Sequence, residues 1–292
     1  MDDPEVLVST GWLAGALDAP DLRVLDASWY LPDMGRDAAG EFADAHIPGA
    51  AFFDIDALSD PESPLPHMLP PEAWLAPRLA ALGLRDGDRV VVYDGAGLFS
   101  AARVWWMLSL LGRFASVAVL DGGLPKWRAE GHPLVAGPAG PALPREGAVT
   151  LTRRPGRLAD AAAVAGARAA GTEVIDARPP ARFRGEAAEP RPGLRAGHVP
   201  GSRNVFFKDL LNADGTMKAP EALRAAFEAA GVDLSRPAIT SCGSGVTAAV
   251  LSLALARIGK RDHALYDGSW AEWGQETGMD SDRPVATGES DV

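Results

Sequence analysis

Short apolar runs rich in β-branched residues alternate along the chain with longer stretches of helical composition. The runs at residues 23–26 and 89–93 predict strands in the first half, and those at 173–176 and 238–241 predict strands in the second. Strands that alternate with helical stretches form parallel sheets whose faces are covered by helices. The pattern therefore predicts an α/β fold with parallel sheets flanked by helices.

Two of the helical stretches are strongly apolar. Residues 101–111 are followed by Gly112, and residues 248–258 are followed by Gly259 and two basic residues. Glycine after the last turn, with basic residues close by, is typical of a helix C-terminus. A helix that is apolar on all sides is buried, so we expect the first of these helices to lie inside the core.

The chain repeats itself once. Four blocks occur in the same order in both halves, with an offset of 146–152 residues. They are residues 24–27 and 174–177, 45–50 and 197–202, 91–97 and 239–245, and 120–123 and 266–269. Such self-similarity indicates a duplicated domain. We therefore predict tandem domains at residues 1–136 and 151–292, joined by a linker rich in proline and glycine at residues 137–150.

Composition and charge exclude some kinds of binding partner. Of the 292 residues, 47% are hydrophobic, which is enough for a core in each domain. The formal net charge of -11 argues against nucleic acid or an anionic membrane, because both attract clustered lysine and arginine. No apolar run reaches the ~18–20 residues that span a bilayer, and the first residues lack the features of a signal peptide. We expect a cytoplasmic protein.

The only cysteine, Cys242, lies where a predicted strand passes into a predicted helix. The loop after it contains Gly243 and Gly245, which allow backbone N–H groups to turn towards the sulfur. The N-terminus of the following helix adds partial positive charge, so the thiol should ionise more readily than an ordinary one. The alternative is a buried cysteine that packs as a small hydrophobe, but that role needs no glycine-flanked loop. One cysteine also excludes an internal disulfide and a zinc site built on cysteines.

Features kept in both copies are best explained by shared architecture. His46 and His198 each precede a turn made of a hydrophobic residue, proline and glycine, so we interpret both as structural residues. Asp26 and Asp176 end the first strand of each half. We predict that both carboxylates cap backbone amides.

Two features occur in the second copy alone. Cys242 matches Asp94 of the first copy, and a carboxylate cannot perform sulfur chemistry. An arginine cluster follows the first strand of the second copy, at the sheet edge that carries the cysteine loop, where arginines can bind a carboxylate. The alternative is a solvated charge run paired with Glu186 and Glu189. We predict that only the second half is catalytic. The clustered residues are Arg182, Arg184, Arg191 and Arg195.

The residues behind these predictions also carry a resemblance. Two tandem copies, a cysteine in the second alone, and the loop Cys242-Gly243-Ser244-Gly245-Val246-Thr247 resemble the rhodanese superfamily and, within it, the 3-mercaptopyruvate sulfurtransferases. The similar stretches include residues 25–32, 46–56, 103–106 and 267–270. Thiosulfate sulfurtransferases are similar in fold but typically place arginine and lysine directly after the cysteine, where this chain has Gly243 and Ser244.

The resemblance implies a mechanism. The thiolate of Cys242 attacks the sulfur of 3-mercaptopyruvate, pyruvate leaves as its enolate, and Cys242 becomes a persulfide. Arg182 and Arg191 would clamp the carboxylate and carbonyl oxygens of the substrate. The loop would stabilise both anionic sulfur species through Gly243, Gly245, Val246 and Thr247.

The proton relay of the family falls on Ser244, His67 and Asp56 of this chain. His67 lies in a proline-rich loop of the other half, so the residue types alone would not join it to Cys242. A loop histidine without a catalytic role therefore stays an alternative.

The resemblance implies no cofactor and no metal. It implies that the sulfur acceptor is cyanide or a thiol, such as thioredoxin or a low-molecular-weight thiol. Thiosulfate:cyanide transfer and a non-catalytic persulfide carrier remain alternatives. A cysteine phosphatase would need an arginine six positions after the nucleophile, where Ala248 stands.

Overall fold

The computed structural model describes residues 2–137, 147–167, 169–276 and 283–290. The chain forms two compact units. Unit 1 contains Met1–Pro61, Leu69–Arg154 and Leu211–Met217, and unit 2 contains Glu62–Met68, Pro155–Leu210 and Lys218–Val292. Each unit therefore includes a seven-residue segment from the other half of the sequence. The segment Glu62–Met68 places His67 in unit 2.

The predicted domain boundaries, residues 1–136 and 151–292, stay a prediction. The two units differ from them in the exchanged segments and in residues 151–154, which belong to unit 1. Residues 138–146 of the predicted linker at 137–150 lie outside the described residues.

Unit 1 contains one parallel sheet, which has five strands in the part of the chain described. Its strand order is β1-β5-β4-β2-β3. The elements are β1 (Leu7–Val8), α1 (Thr10–Ala16), β2 (Leu22–Asp26), α2 (Ala38–Asp44), β3 (Ala50–Phe52), α3 (Glu72–Ala81), β4 (Arg89–Tyr93), α4 (Ala101–Leu111), β5 (Ser116–Leu120) and α5 (Gly123–Ala129), with a short 3₁₀ helix at Pro32–Met34.

Unit 2 repeats this topology. Its described strands form a five-stranded parallel sheet in the order β6-β10-β9-β7-β8, which is the unit 1 order position by position. The elements are β6 (Leu158–Ala159), α6 (Ala161–Gly166), β7 (Glu173–Asp176), α7 (Pro180–Phe183), β8 (Arg203–Asn204), α8 (Pro220–Ala229), β9 (Ala238–Ser241), α9 (Ala248–Arg257), β10 (His263–Tyr266) and α10 (Ser269–Trp273), with a 3₁₀ helix at Phe207–Leu210.

The sequence pattern predicted these central elements closely. The four strands predicted from apolar runs are confirmed as β2, β4, β7 and β9, and the helix predicted at 101–111 is α4. The helix predicted at 248–258 is α9, which ends at Arg257 with Ile258 as its cap. Nearly every residue of α4 and α9 is buried, because these helices are apolar on most sides. The two tandem parallel α/β sheets are therefore confirmed.

The features kept in both copies are structural, as predicted. The ring of His46 stacks on Phe42 and its Nδ1 lies 2.8 Å from the carbonyl oxygen of Phe42. His198 makes the same two contacts with Phe183, with Nδ1 2.9 Å from the carbonyl oxygen. These rings hold the turn against the preceding helix.

The two strand-terminal carboxylates also act as predicted. Asp26 accepts the backbone N–H of Ser28 at 2.9 Å, and Asp176 accepts that of Arg178 at 2.9 Å. Both carboxylates are buried. Burial raises the pKa of Asp26, although its hydrogen bonds with Ser28 oppose the rise. Among the described residues, no helix has the length and apolar character needed to cross a bilayer.

His263, the first residue of β10, makes the stability of unit 2 depend on pH. Its ring is buried, with Nδ1 2.9 Å from the carbonyl oxygen of Lys260 and Nε2 3.4 Å from the guanidinium of Arg157. Burial, and then the charge of Arg157, lower the pKa of His263 from 6.5 to about 4. The unfolded chain therefore takes up this proton first as the pH falls, so stability is complete above 6.5 and is lost between 6.5 and about 4.

We predict that this histidine costs the wild-type chain about 2–3 kcal/mol of unfolding free energy between pH 7 and pH 4.5. His263→Gln should remove that part of the pH dependence, because glutamine does not titrate. Urea unfolding of both proteins at the two pH values measures the difference. His132→Gln, at a partly exposed position, serves as the control and should retain the loss of stability that His263 causes. Equal losses in wild type and His263→Gln would contradict the assignment.

Candidate active site

Cys242 lies at the carboxyl end of β9, directly after Ser241 and six residues before α9 begins. Its thiol is free, and the residue is 2% exposed. Gly245 adopts φ +79°, which a residue with a side chain rarely adopts. This glycine lets the loop turn back sharply enough for α9 to start beside the cysteine.

The segment that ends β10 and begins α10 holds the backbone of Cys242. The Cys242 N–H donates to Oγ of Ser269 at 3.1 Å, and its carbonyl oxygen accepts the N–H of Trp270 at 2.9 Å. The carbonyl oxygen of Gly243 accepts the N–H of Ala271 at 2.8 Å. Hydrogen bonds to this segment therefore fix both the N–H and the carbonyl group of Cys242.

Ser269 holds this position in a strained conformation. Its φ is +48°, and its hydroxyl also donates to the carbonyl oxygen of Tyr266 at 2.8 Å. Gly123, the matching residue of unit 1, has φ +55°. A side chain at such a φ costs about 1–3 kcal/mol, so a serine here indicates a function for its hydroxyl. That function is to accept the Cys242 N–H.

Unit 1 shows what this kind of loop can bind. The carboxylate of Asp94, which matches Cys242, accepts four backbone N–H groups over 2.8–2.9 Å. The loop and the first turn of α4 thus surround an anion with amide donors, as expected for a helix N-terminus. The four donors are Ala96, Phe99, Ser100 and Ala101.

The loop after Cys242 has the matching amides. With the offset of 148 that joins Asp94 to Cys242, the donors correspond to Ser244, Thr247, Ala248 and Ala249. The Ala249 N–H bonds the carbonyl oxygen of Val246 at 3.3 Å. No hydrogen bond found within the described ranges uses the other three amides. A sulfur anion on Cys242 would supply the acceptor that Asp94 supplies in unit 1.

His67 and Ser244 meet inside unit 2. The Nδ1 of His67 lies 3.0 Å from Oγ of Ser244 and 3.3 Å from its carbonyl oxygen, and both side chains are buried. His67 adopts φ +61°, so its backbone is strained as well. The segment Glu62–Met68 therefore brings a titratable ring to the loop of the nucleophile.

Asp56, the third predicted member of the relay, belongs to unit 1. There its carboxylate accepts the indole N–H of Trp29 at 3.0 Å. A role for Asp56 in proton transfer stays a prediction.

A buried ion-pair network positions Arg182. Its Nε and Nη2 bind the two carboxylate oxygens of Glu189 at 3.3 and 2.5 Å, and its side chain is 18% exposed. Its Nη2 also lies 3.3 Å from where a Cβ of Gly243 would stand. The guanidinium is therefore beside the cysteine loop, and its Nη1 is outside the pair with Glu189.

Arg178 anchors the same carboxylate from the interior. Its guanidinium is buried, binds Asp176 through Nε and Nη2, and donates Nη1 to Glu189 at 2.7 Å. It also lies 4.2 Å above the ring of Trp270, the residue whose N–H holds Cys242. Burial alone would lower the pKa of Arg178, but the two carboxylates raise it above the usual value.

The other clustered arginines differ in role. Arg184 pairs with the exposed Glu186, and Arg195 donates to the carbonyl oxygens of Trp273 and Arg283. Arg195 therefore holds local backbone, and the alternative of a surface charge run is correct for Arg184. Arg191 is partly exposed on the loop between α7 and β8, and its role in substrate binding stays a prediction.

Three residues of the site were not identified by the sequence analysis, although two of them differ between the two copies. Arg178 stands where the first copy has Ser28, and Ser269 stands where it has Gly123, so both are differences between the copies. Glu189 was interpreted only as a partner for surface arginines. Its buried position depends on Arg178, and residue types alone do not show that.

The Glu189 network leads to a stability prediction with a matched control. Glu189→Gln removes the charge that Arg178 and Arg182 share, which leaves a buried cation partly unpaired and should cost about 3–5 kcal/mol of unfolding free energy. Glu186→Gln breaks the pair with Arg184, where the glutamate side chain is 56% exposed, and should leave the urea midpoint unchanged. Equal midpoints for the two variants would contradict the network.

Comparison with known proteins places this site in a family. A family model described as the rhodanese-like domain matches residues 9–130 and 160–276. The human 3-mercaptopyruvate sulfurtransferase is 46% identical over 274 residues, 91% of each chain. The Arabidopsis thaliana protein named thiosulfate/3-mercaptopyruvate sulfurtransferase 1, mitochondrial, is 42% identical over 98% of this chain and 79% of its own length.

A solved structure gives the same result. The crystal structure of SseA from Escherichia coli, described as a 3-mercaptopyruvate sulfotransferase, superposes with a TM-score of 0.81 at 40% identity, over 91% of this chain and 99% of that one. The repeated parallel sheets, the single cysteine at the end of β9 and these matches lead to one conclusion: the chain belongs to the rhodanese family.

Proposed function

We propose that this chain is a sulfurtransferase that moves sulfur from 3-mercaptopyruvate through a persulfide on Cys242 to a thiol or to cyanide. The observation that carries the proposal is the surroundings of Cys242. The thiol stands at the start of a loop whose counterpart in unit 1 holds an anion with four amides. The guanidinium of Arg182 lies beside the same loop, and His67 contacts Ser244 within it. The relatives named above are sulfurtransferases by name.

The first step forms the persulfide. The thiolate of Cys242 attacks the sulfur of 3-mercaptopyruvate, the carbon–sulfur bond breaks, and its electron pair leaves with the methylene carbon as the enolate of pyruvate. The enolate takes up the proton that the transferred sulfur carried as the substrate thiol, which gives pyruvate and leaves the persulfide as an anion. The loop amides stabilise the anion on sulfur before and after the transfer, because their dipoles are already oriented.

We assign the transfer of that proton to His67 and Ser244. The hydroxyl of Ser244 belongs to the loop of the nucleophile, and the imidazole lies within hydrogen-bond distance of it. A hydroxyl that is bonded to an imidazole can pass a proton between substrate and ring. We assign the relay to Ser244 and His67, with Asp56 as the third member implied by the resemblance.

Arg182 and Arg191 are assigned to the substrate's carboxylate and carbonyl oxygens. Arg182 keeps Nη1 outside its ion pair, so it can bind a second anion while Glu189 fixes its orientation. The backbone of Gly243, Gly245, Val246 and Thr247 forms the rest of the pocket for the sulfur.

The charge of the loop favours 3-mercaptopyruvate over thiosulfate as the donor. Thiosulfate is a dianion, and thiosulfate sulfurtransferases typically carry arginine and lysine after the cysteine. Gly243 and Ser244 occupy those places and carry no charge. Thiosulfate stays the second candidate, because the name of the Arabidopsis relative includes both donors. The ratio of kcat/KM for the two donors decides between them.

For the sulfur acceptor we propose a class of molecules and not a single compound. Cyanide, thioredoxin or a low-molecular-weight thiol can attack the outer sulfur of a persulfide and regenerate the thiolate. The cytoplasmic location stays a prediction, and the Arabidopsis relative is mitochondrial by name.

We predict that Cys242→Ser abolishes pyruvate release from 3-mercaptopyruvate. Arg182→Ala should lower kcat/KM about 10–100-fold, mainly through KM, because a charge-assisted contact to the substrate is lost. Arg184→Ala is the matched control and should leave both constants unchanged, since Arg184 pairs with the exposed Glu186. Pyruvate formation is followed with excess acceptor present.

Two results would contradict the proposal. Turnover by Cys242→Ser would show that the sulfur does not pass through this thiol. Release of no more than one pyruvate per chain in the presence of excess acceptor would instead indicate a persulfide carrier without catalytic turnover.

A further inference from the structure

Unit 2 contains a cavity of about 310 Å³ at the opposite end of its sheet from Cys242. Thr172 and Glu173 line it at the start of β7, and Arg236 lines it just before β9 begins. All strands of this sheet are parallel, and Cys242 follows the end of β9. The cavity is therefore separate from the cysteine loop.

The described residues that line the cavity are mainly apolar, and two of them are arginines. Val164, Val199, Trp273 and Pro284 supply apolar surface, and Arg203 and Arg236 supply charge. A concave site with apolar walls and a few polar groups is the usual form of a small-molecule site.

Arg203 is the unusual member of this group. Its Nε is buried and has no hydrogen-bond partner, and no ion pair of Arg203 is found among the described residues. Its guanidinium lies about 3.5 Å from where a Cβ of Gly231 would stand, just beyond the C-terminus of α8. The negative end of the helix dipole favours a cation there but supplies only partial charge.

The charge of Arg236 is already compensated. Its Nη1 pairs with Glu173 at 3.0 Å, and its Nε donates to the carbonyl oxygen of Gly171 at 2.8 Å. Among the described residues that line the cavity, Arg203 therefore leaves one net positive charge. One positive charge fits a monoanion better than a dianion, which the carboxylate of Glu173 would repel.

The sheet registers show that both guanidinium groups belong to unit 2 alone. Arg203 pairs with Ile175 as Ala51 pairs with Leu25, so Arg203 stands at the place of Ala51. By the same registers Arg236 stands at the place of Asp88.

The helix beside the cavity, α6, also differs from its counterpart α1 in unit 1. Ser9 caps α1 and Asp160 caps α6, so the third helical residue is Trp12 in unit 1 and Ala163 in unit 2. Trp12 packs against the core of unit 1. Unit 1 thus has a large side chain and no arginine where unit 2 has a small side chain and two arginines.

We propose that this cavity binds a small carboxylate with an apolar body. The carboxylate would bind the guanidinium of Arg203, and the apolar body would lie against Val199 and Trp273. The volume corresponds to roughly ten water molecules, which suits an acid with a single ring or a branched chain. This proposal does not depend on sulfur transfer.

The test uses 4-fluorophenylacetate as the probe, titrated against the full chain and followed by ¹⁹F NMR. The probe should bind the wild type saturably at millimolar concentration, and Arg203→Ala should weaken binding at least 10-fold. Arg203→Ala introduces the residue that unit 1 has at that place, so the protein should fold, which urea unfolding verifies.

Three controls separate this site from the catalytic one. Cys242→Ser and Arg184→Ala should bind the probe as the wild type does, and Arg203→Ala should keep the wild-type kcat for pyruvate release. The neutral 4-fluorophenylacetamide should bind at least 10-fold more weakly than the acid. No saturable binding, equal binding by Arg203→Ala, or loss of binding in Cys242→Ser would each overturn the proposal.

Discussion

The site depends on one constraint, which is that backbone N–H groups at the start of a buried helix need an acceptor. Both units bring a loop and a helix N-terminus to the carboxyl end of the central strand, and both helices are buried on nearly every side. In unit 1 the carboxylate of Asp94 satisfies four of these amides permanently. In unit 2 the residue at that place is Cys242. The same backbone therefore makes a stable cap in one copy and, under the proposed function, holds a sulfur anion in the other.

The rest of unit 2 fixes the groups around that sulfur. Ser269 binds the N–H of Cys242, and Trp270 binds its carbonyl oxygen. Ser269 has a positive φ, and the matching residue of unit 1 is Gly123. A chain of alternating charges runs from the interior to the loop, and its buried carboxylates keep the guanidinium of Arg182 oriented, with Nη1 outside the ion pair. Strain at Ser269 and His67 is thus located where function requires exact placement of polar groups.

The fold could be predicted from the sequence because its central strands are short β-branched runs and its central helices are apolar and end at glycine. Cys242 could be recognised as the candidate nucleophile because the chain carries its own comparison, in which Cys242 and Asp94 occupy one place. The same comparison distinguishes Arg178 and Ser269, because the first copy has Ser28 and Gly123 at their places. Counting arginines could not separate Arg182 from Arg184, because their roles depend on whether the partner carboxylate is buried or exposed. His67 could not be joined to Ser244 by local pattern, since 177 residues separate them and the segment Glu62–Met68 packs with the other half. The roles of Asp56 and Arg191 still rest on the resemblance.

The most direct test of the account is the intact mass of the protein after one equivalent of 3-mercaptopyruvate without acceptor, followed by mapping of the modified peptide. The account predicts a gain of one sulfur atom located on Cys242, one pyruvate released for each sulfur bound, and loss of the added sulfur when cyanide is supplied. Unmodified Cys242 in a protein that nevertheless releases pyruvate would contradict the claim that the loop amides of unit 2 serve a sulfur anion.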